Sequence, residues 1–278
     1  MQKTLIFIII CLLSYQLIQL VCTHYISQDA QKIYLISIPK CGTHLLAELI
    51  TLLTGMPYIS VGTHNNFSTQ GAQTKKIKEK LLNLHDTYLL GHTTYDAELE
   101  KMLNAMQIKT FFIYRDPRDH MVSYSYYIQR PDAPAYIKEW TEKNSFDALL
   151  DSFFTGDFIL YKYWYAKKID DFYRLFLPWL KCKNVCAIRF EDLVGSNGGG
   201  SIESQYLAIE KIAHHIGIQL DENDLQDITE KLFGSGFTFR KGQIGAWKTH
   251  FNNQHIKKCK EVAGNLLIDL GYEENLNW

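Results

Sequence analysis

Two kinds of apolar pattern alternate along this chain and predict a sheet flanked by helices. Short runs rich in β-branched and aromatic residues predict buried strands at 33–38, 87–90, 109–114 and 184–190. Between and after them, apolar residues recur at helical spacing and predict helices over 43–54, 97–106, 202–216, 221–233 and 255–270. Strands that alternate with helices are typical of an α/β fold with a central parallel sheet. The length of 278 residues fits one such domain or two small ones.

The first strand–helix junction carries the clearest candidate chemistry. Pro39 ends the strand, Gly42 allows a tight turn, and the helix begins at Thr43 and is closed by Gly55. The N-terminus of a helix presents free N–H groups and a partial positive charge to an anion, and Lys40 adds a full charge beside it. We interpret this junction as a phosphate-binding loop. The alternative is an ordinary strand–helix turn with an exposed lysine.

Two later strands also lead into candidate site residues. His92 follows the strand over 87–90, and its near-neutral pKa suits a general base, although a structural role is equally open. Arg115 follows the strand over 109–114 and can bind phosphate oxygens with its fork of N–H donors, with Ser123 two helical turns further on. The alternative is a surface arginine paired with Asp116 or Asp119.

Composition and charge limit the classes of partner. The formal net charge is −1, so no overall basic field indicates nucleic acid or an anionic membrane surface. Aromatic residues are plentiful, with 17 Tyr and 15 Phe, which suits a core and an aromatic cleft. Cys182 and Cys186 could form a disulfide, but packing is the favoured interpretation. The segment 195–201 is rich in glycine and predicts a flexible loop.

The N-terminal segment predicts that the protein is secretory or attached to a membrane. Lys3 precedes a dense apolar run over 4–13, the arrangement of a signal sequence. We therefore predict that residues 1–23 are a signal peptide or a signal anchor, which places the protein in the secretory pathway or at a membrane. A segment that folds against the domain is the third alternative.

Several stretches resemble, in order, the motifs of the PAPS-dependent sulfotransferases. Pro39-Lys-Cys-Gly-Thr-His44 resembles the 5′-phosphate loop, and the run from Gly91 through His92 resembles the motif of the general base. Arg115 and Ser123 match the 3′-phosphate motif. The stretch that begins at Arg189 resembles an Arg-Tyr-Glu-Asp-Leu signature with Phe190 in place of Tyr, and Arg240-Lys-Gly242 followed by Trp247 resembles the lid over the 3′-phosphate.

The resemblance implies a fold, a reaction and a set of site residues. The fold is a single domain over residues 32–278, the P-loop-containing nucleotide-binding fold of sulfotransferase type. The reaction is transfer of a sulfuryl group from PAPS (3′-phosphoadenosine 5′-phosphosulfate) to a hydroxyl or amine, without a metal. His92 acts as base and Lys40 neutralises charge on the leaving phosphate. The residues implied to bind the co-substrate are Lys40, Cys41, Gly42, Thr43, His44, Arg115, Ser123, Phe190, Arg240, Lys241 and Gly242.

Three positions depart from the family pattern. Leu45 stands where the family places an adenine-stacking Trp, His44 replaces a Thr, and Leu90 replaces a Lys. The acceptor stays open among small molecules, lipids, glycans and peptides. The alternatives are a non-catalytic, membrane-tethered nucleotide-binding protein and a P-loop kinase-like phosphotransferase. The latter requires a Walker loop, in which Lys directly follows the second glycine, and Lys40 instead precedes Gly42.

Overall fold

Five parallel strands form the sheet that organises the described part of the chain. They are β1 (Ile33–Ser37), β2 (Tyr58–Ser60), β3 (Tyr88–Gly91), β4 (Lys109–Tyr114) and β5 (Val185–Arg189). Their order is β2-β3-β1-β4-β5, and Leu35 of β1 aligns with Leu90 of β3 and Phe111 of β4. The first strand of the chain therefore lies at the centre of the sheet, so the loop that follows it opens at the middle of the carboxyl edge.

The computed structural model describes residues 32–61, 70–158, 168–232 and 241–278. The predicted signal segment 1–23 and Arg240 lie outside these ranges. Residues Lys32–Trp278 cluster as one unit. Within the described ranges, the structure has no helix that is both long and apolar enough to cross a bilayer.

Helices cover both faces of the sheet. Their bounds are α1 (Thr43–Thr54), α2 (Gln70–Leu82), α3 (Ala97–Ala105), α4 (Pro117–Ile128), α5 (Ala135–Glu142), α6 (Phe146–Thr155), α7 (Ile169–Arg174), α8 (Phe190–Leu193), α9 (Ile202–Ile216), α10 (Glu222–Leu232) and α11 (Asn253–Asp269). Short 3₁₀ turns occur at Leu177–Lys181, Ser196–Gly198 and Ala246–Thr249.

The sequence signals for helix ends agree with the structure. Asp96 caps α3 by accepting the N–H of Leu99 at 2.7 Å, and Asp116 caps α4 by accepting the N–H of Arg118 at 2.8 Å. Gly55 closes α1 in the left-handed conformation, as predicted. By contrast, β2 was not predicted, because this three-residue edge strand is exposed along its length and has no buried apolar run.

The core has two layers, one on each face of the sheet. Adjacent residues of β4 point to opposite faces, so one belongs to each layer. Phe112 packs with residues of α4, α6 and α11, whereas Phe111 packs with residues of α1, α9 and α10. This is the pattern expected for a central parallel strand. Cys182 and Cys186 are buried and unpaired, so the packing interpretation is confirmed and the disulfide alternative is wrong.

The glycine-rich segment after β5, which was predicted as a flexible loop, forms a hydrogen-bonded turn. The N–H groups of Gly198 and Gly200 donate to the carbonyl of Gly195, and the Gly198 carbonyl accepts the N–H of Ile244 at 2.9 Å. A Cβ at Gly198 would lie 2.6 Å from the carbonyl oxygen of Gly242. The glycines therefore allow close packing against the segment that begins at Lys241.

The buried imidazole of His120 in α4 makes stability depend on pH. Burial, together with the charges of Arg115 and Lys40, lowers the pKa of His120 to about 3. In the unfolded chain the pKa of a histidine is near 6.5. Between about pH 3 and pH 6.5, His120 therefore binds a proton in the unfolded state but not in the folded state, which favours unfolding. As pH falls below about 6.5, His120 alone is expected to lower the free energy of unfolding by up to about 1.4 kcal/mol per pH unit.

Denaturant unfolding from pH 7.5 to 4.5 checks this prediction. His120→Phe should lose free energy of unfolding less steeply than the wild type below pH 6.5, since both proteins share every other titrating group. The exposed His85 offers a matched control, and His85→Phe should follow the wild-type curve. Parallel curves for His120→Phe and the wild type would contradict the prediction.

Candidate active site

The loop between β1 and α1 presents unpaired donors at the carboxyl edge of the sheet. Gly42 adopts φ 98° and ψ 22°, and the first intrahelical bond joins the N–H of Leu46 to the Gly42 carbonyl at 3.1 Å. Among the described residues, none accepts a hydrogen bond from the N–H groups of Thr43, His44 or Leu45. Three orphan donors at the start of a twelve-residue helix form a site suited to a phosphate group.

Phe190 packs directly behind this loop. A Cβ at Gly42 would lie 2.7 Å from Cδ2 of Phe190 and 3.1 Å from Cδ1 of Ile113, so only glycine fits. The same aromatic ring lies 4.1 Å beneath the guanidinium of Arg115, and it is 4 % exposed. Phe190 therefore supports two predicted phosphate-binding elements, the loop and Arg115, from the core side.

His92 is fixed by the last residue of β1. Its Nδ1 lies 3.0 Å from the carbonyl oxygen of Ser37 and 2.9 Å from the Ser37 hydroxyl, which in turn lies 2.8 Å from the hydroxyl of Thr43. A carbonyl oxygen only accepts, so the bond to it requires the hydrogen on Nδ1, whereas the Ser37 hydroxyl can accept from Nδ1 or donate to it. In the tautomer with the hydrogen on Nδ1, the lone pair of the neutral ring is on Nε2. This tautomer is the one that a base acting through Nε2 requires.

Lys40 and Cys41 point in different directions from the same loop. The Lys40 ammonium lies 4.3 Å above the ring of Tyr127 in α4. The Cys41 thiol is buried, 3.4 Å from both His120 and the Tyr173 hydroxyl, and burial raises its pKa to about 12. The cysteine side chain thus belongs to the core, whereas the lysine side chain follows the carboxyl edge of the sheet.

His44 and Leu90 are two of the positions at which the sequence departs from the family pattern. Burial, and next the charge of Lys40, lowers the pKa of His44, which favours its neutral form. The Leu90 side chain is 4 % exposed and packs in the core layer next to α1. Leu90 therefore adds no charge to the predicted phosphate-binding loop, and the neutral form favoured for His44 adds none either.

Arg115 lies at the end of β4 and is 7 % exposed, so it is not the surface arginine of the alternative interpretation. Its Nη2 donates to the carbonyl of Gln243 at 2.6 Å and lies 3.5 Å from the carboxylate of Asp119. The Nε of Arg115 is buried without a partner among the described residues. Ser123 lies two turns further along α4 and is half-buried.

Asp119 holds the segment that follows Lys241, a role that sequence reasoning missed. Its carboxylate accepts the N–H of Gly245 at 2.8 Å and that of Trp247 at 3.0 Å. Burial raises the pKa of Asp119, against the opposing charge of Arg115. The closeness of Arg115 and Asp119 in the sequence was visible, but the segment that both contact lies more than a hundred residues away.

The arrangement defines a class of protein. A helix N-terminus with unpaired N–H groups, a histidine in contact with the last residue of β1 and a buried arginine lie at the carboxyl edge of one parallel sheet. These are the parts of a phosphate-binding α/β enzyme that transfers a charged group. Within the described ranges, no three His, Cys, Asp or Glu side chains lie close enough to hold a metal ion together.

Comparisons with known proteins identify the family. The family model described as "Sulfotransferase domain" matches residues 30–235. Mouse sulfotransferase 6B1 is 26% identical, with 87% of this chain and 80% of the relative covered, and flavonol 3-sulfotransferase of Flaveria bidentis is 24% identical, with 84% and 81% covered. The crystal structure of mouse sulfotransferase SULT7A1 complexed with PAP matches the fold with a TM-score of 0.63 at 20% identity, covering 87% of each chain.

The chain belongs to the sulfotransferase-domain family, because that model covers most of its length. The predicted family, the predicted α/β fold and the predicted reaction, sulfuryl transfer from PAPS, are confirmed. Neither the kinase-like alternative nor the non-catalytic alternative is favoured. The individual site residues stay predictions.

Proposed function

We propose that His92 is the general base in sulfuryl transfer from PAPS to an acceptor hydroxyl or amine. The observation that carries this proposal is the 3.0 Å contact between His92 Nδ1 and the Ser37 carbonyl oxygen. We take Nδ1 to be the donor in this contact, which places the lone pair on Nε2. An acceptor O–H or N–H gives its proton to Nε2 as its oxygen or nitrogen bonds to sulfur. The bond between sulfur and the phosphate oxygen breaks, and PAP leaves with the electron pair.

The phosphate groups are assigned to the two elements that Phe190 joins. The N–H groups of Thr43 and His44 bind the 5′-phosphate, and the ammonium of Lys40 offsets the charge that develops on its leaving oxygen. Arg115, with Ser123, binds the 3′-phosphate. The buried, unpartnered Nε of Arg115 supports this assignment, because a buried donor without an acceptor is costly.

Arg240, Lys241 and Gly242 complete the proposed 3′-phosphate site. Lys241 is exposed and Gly242 has φ 59°, so this stretch can supply both a charge and a sharp turn. Arg240 lies outside the described residues and rests on the family resemblance alone.

We propose a small apolar alcohol or phenol as the acceptor. Two relatives support this class by their names: flavonol 3-sulfotransferase, and retinol dehydratase in its complex with androsterone and inactive cofactor PAP, the latter at a TM-score of 0.58. The Tyr127 ring beside Lys40 offers an aromatic surface near the transfer site. An acceptor screen with radiolabelled PAPS tests the class, and preferential labelling of glycans or peptides would contradict it.

We separately propose a cellular location from the N-terminal segment. The apolar run behind Lys3 supports a signal peptide or a signal anchor over residues 1–23 and, through it, attachment to or passage across a membrane. N-terminal sequencing of the mature protein distinguishes a cleaved signal from a retained anchor, and a cytosolic protein that keeps Met1 would contradict both.

Binding of PAP should stabilise the folded protein. A ligand that binds only the native state raises the free energy of unfolding by about 2.7 kcal/mol at a concentration of 100 times its Kd. Thermal unfolding with increasing PAP is expected to show a rising Tm, and adenosine without phosphates should have little effect. An unchanged Tm at millimolar PAP would overturn the proposed co-substrate site.

A further inference from the structure

Arg118 is a fully charged side chain that is almost completely buried in the first turn of α4. It is 3 % exposed, its Nε and Nη2 donate to the carboxylate of Asp116 at 2.7–3.1 Å, and its Nη1 donates to Glu273 at 2.5 Å. Burial alone would lower the pKa of Arg118, but the bonds to these two carboxylates outweigh it and raise the pKa. The guanidinium is therefore charged at every physiological pH.

Two tryptophans enclose this guanidinium. The Cζ of Arg118 lies 4.2 Å from the ring centroid of Trp247 and 4.6 Å from that of Trp278. The two indoles meet edge to face, with centroids 5.7 Å apart and planes at 80°. Arg118 thus fills the corner between two perpendicular rings, at distances where cation–π attraction is significant. We call this group the Arg118 corner.

The two rings come from different parts of the chain. Trp247 ends the stretch 241–247, which begins with the proposed 3′-phosphate ligands Lys241 and Gly242. Trp278 belongs to the stretch 272–278, which is fastened independently: Tyr272 donates to Glu191 at 2.8 Å, and Leu276 packs so close to Gly264 of α11 that a Cβ there would lie 2.4 Å from it.

The stretch 241–247 has few other attachments to α4 and to Arg115, which precedes that helix. Arg115 donates to the Gln243 carbonyl, and Asp119 accepts two N–H groups, at Gly245 and Trp247. These contacts are to the backbone and do not hold the Trp247 side chain. Among the described residues, the side chain of Trp247 is held by Arg118, Trp278 and Phe251 and by Lys248, whose ammonium is 5.9 Å away.

We propose that Arg118, Trp247 and Trp278 are positioning residues that hold the 241–247 stretch in place for the 3′-phosphate of the co-substrate. The inference rests on the proposed function, since it takes Lys241 and Gly242 to be ligands of that phosphate. The contacts of Arg118 described above are with Asp116, Glu273 and the two tryptophans, and these residues lie apart from the proposed 5′-phosphate ligands of the loop after β1 in the sequence. Loss of the corner therefore weakens binding of the 3′-phosphate and leaves binding of the 5′-phosphate unchanged.

A comparison of two nucleotides tests this selectivity. PAP carries both phosphates, whereas adenosine 5′-monophosphate (AMP) carries only the 5′-phosphate, so their Kd values for the full-length protein isolate the 3′ contribution. Trp278→Ala is expected to raise the Kd for PAP about tenfold, the loss of one strong cation–π contact, and to change the Kd for AMP less than about twofold. The KM for PAPS should rise in parallel, with kcat nearly unchanged.

Two further variants make the result specific. The Trp278 indole N–H has no acceptor among the described residues, so Trp278→Phe keeps the ring face and should recover most of the affinity for PAP. Asn277→Ala, which removes an exposed amide from the neighbouring residue, serves as the matched control and should bind both nucleotides like the wild type.

The other possible results of this comparison contradict either the inference or the proposed function. Equal losses of PAP and AMP affinity in Trp278→Ala would mean that the corner only maintains the fold, and unchanged PAP affinity would mean that it does not position the stretch; either overturns the inference. A wild-type protein that does not bind PAP would overturn the proposed function, and the inference with it. If Trp278→Ala does not fold, Glu273→Gln replaces it, and the same selective loss of PAP affinity is required.

Discussion

Replacing His92 with alanine is expected to lower kcat by about 10²–10⁴-fold, the usual contribution of a general base, and to leave the Kd for PAP within about twofold. The reason is the position of the ring: its Nδ1 contacts Ser37 and its Nε2 is the proposed proton acceptor, whereas the proposed phosphate ligands are other groups, among them backbone N–H groups and Arg115. Single-turnover assays with radiolabelled PAPS and titration with PAP measure the two quantities separately.

The exposed His85 provides the control for this experiment, and His85→Ala should keep the wild-type kcat. If His92→Ala retained wild-type turnover, the assignment of His92 as base would be wrong even though the family would stand. Lost turnover with lost PAP affinity would mean that His92 maintains the loop through Ser37 and Thr43 and does not act in proton transfer.

Replacing Gly42 with alanine is expected to lower both stability and affinity for PAP. A side chain in the left-handed conformation found at Gly42 costs about 1–2 kcal/mol. The clash with Phe190 at 2.7 Å adds the cost of overpacking, about 1–3 kcal/mol. Because Phe190 also supports Arg115, its displacement disturbs both phosphate sites, and we expect the Kd for PAP to rise more than about tenfold, equivalent to over 1.4 kcal/mol.

The other end of the same helix supplies a matched control. Gly55 also adopts a positive φ, 70°, but nothing lies within 4 Å of a Cβ built there. Gly55→Ala should therefore lose only the conformational cost of about 1–2 kcal/mol and keep the wild-type Kd for PAP. Denaturant unfolding and PAP titration of both variants give the comparison, and equal effects at the two glycines would contradict the role assigned to Phe190.

Local signals in the sequence were sufficient for most elements of the fold. The apolar run of β4 and the end of α1 at Gly55 were predicted at the residues where the structure has them, since each depends on neighbouring residues. The edge strand β2 was not predicted because its residues are exposed. The hydrogen bonds of the glycine-rich turn were not predicted because one of them joins the turn to Ile244, which is distant in the sequence.

In the candidate site, too, residues with a local sequence signal were predicted and those defined by contacts with distant residues were not. His92 and Arg115 were found because each follows a strand, where parallel sheets place ligand-binding groups. Ser37 was missed, since a serine at a strand end carries no signal of the hydrogen bonds it makes across the sheet to His92. The Arg118 corner was missed for the same reason: it joins α4 to two stretches more than a hundred residues away, and no single-sequence pattern reports such a contact.

The central position of β1 also affects folding during synthesis and the folding of fragments of the chain. Its two neighbours, β3 and β4, follow only after about fifty and seventy residues. A nascent chain therefore exposes both edges of β1 until β3 has left the ribosome, and one edge until Tyr114 of β4 has followed. Unpaired edges of an apolar strand promote association between chains. A fragment that ends before Lys109 would therefore keep the whole phosphate-binding loop in its sequence and yet aggregate instead of folding around it.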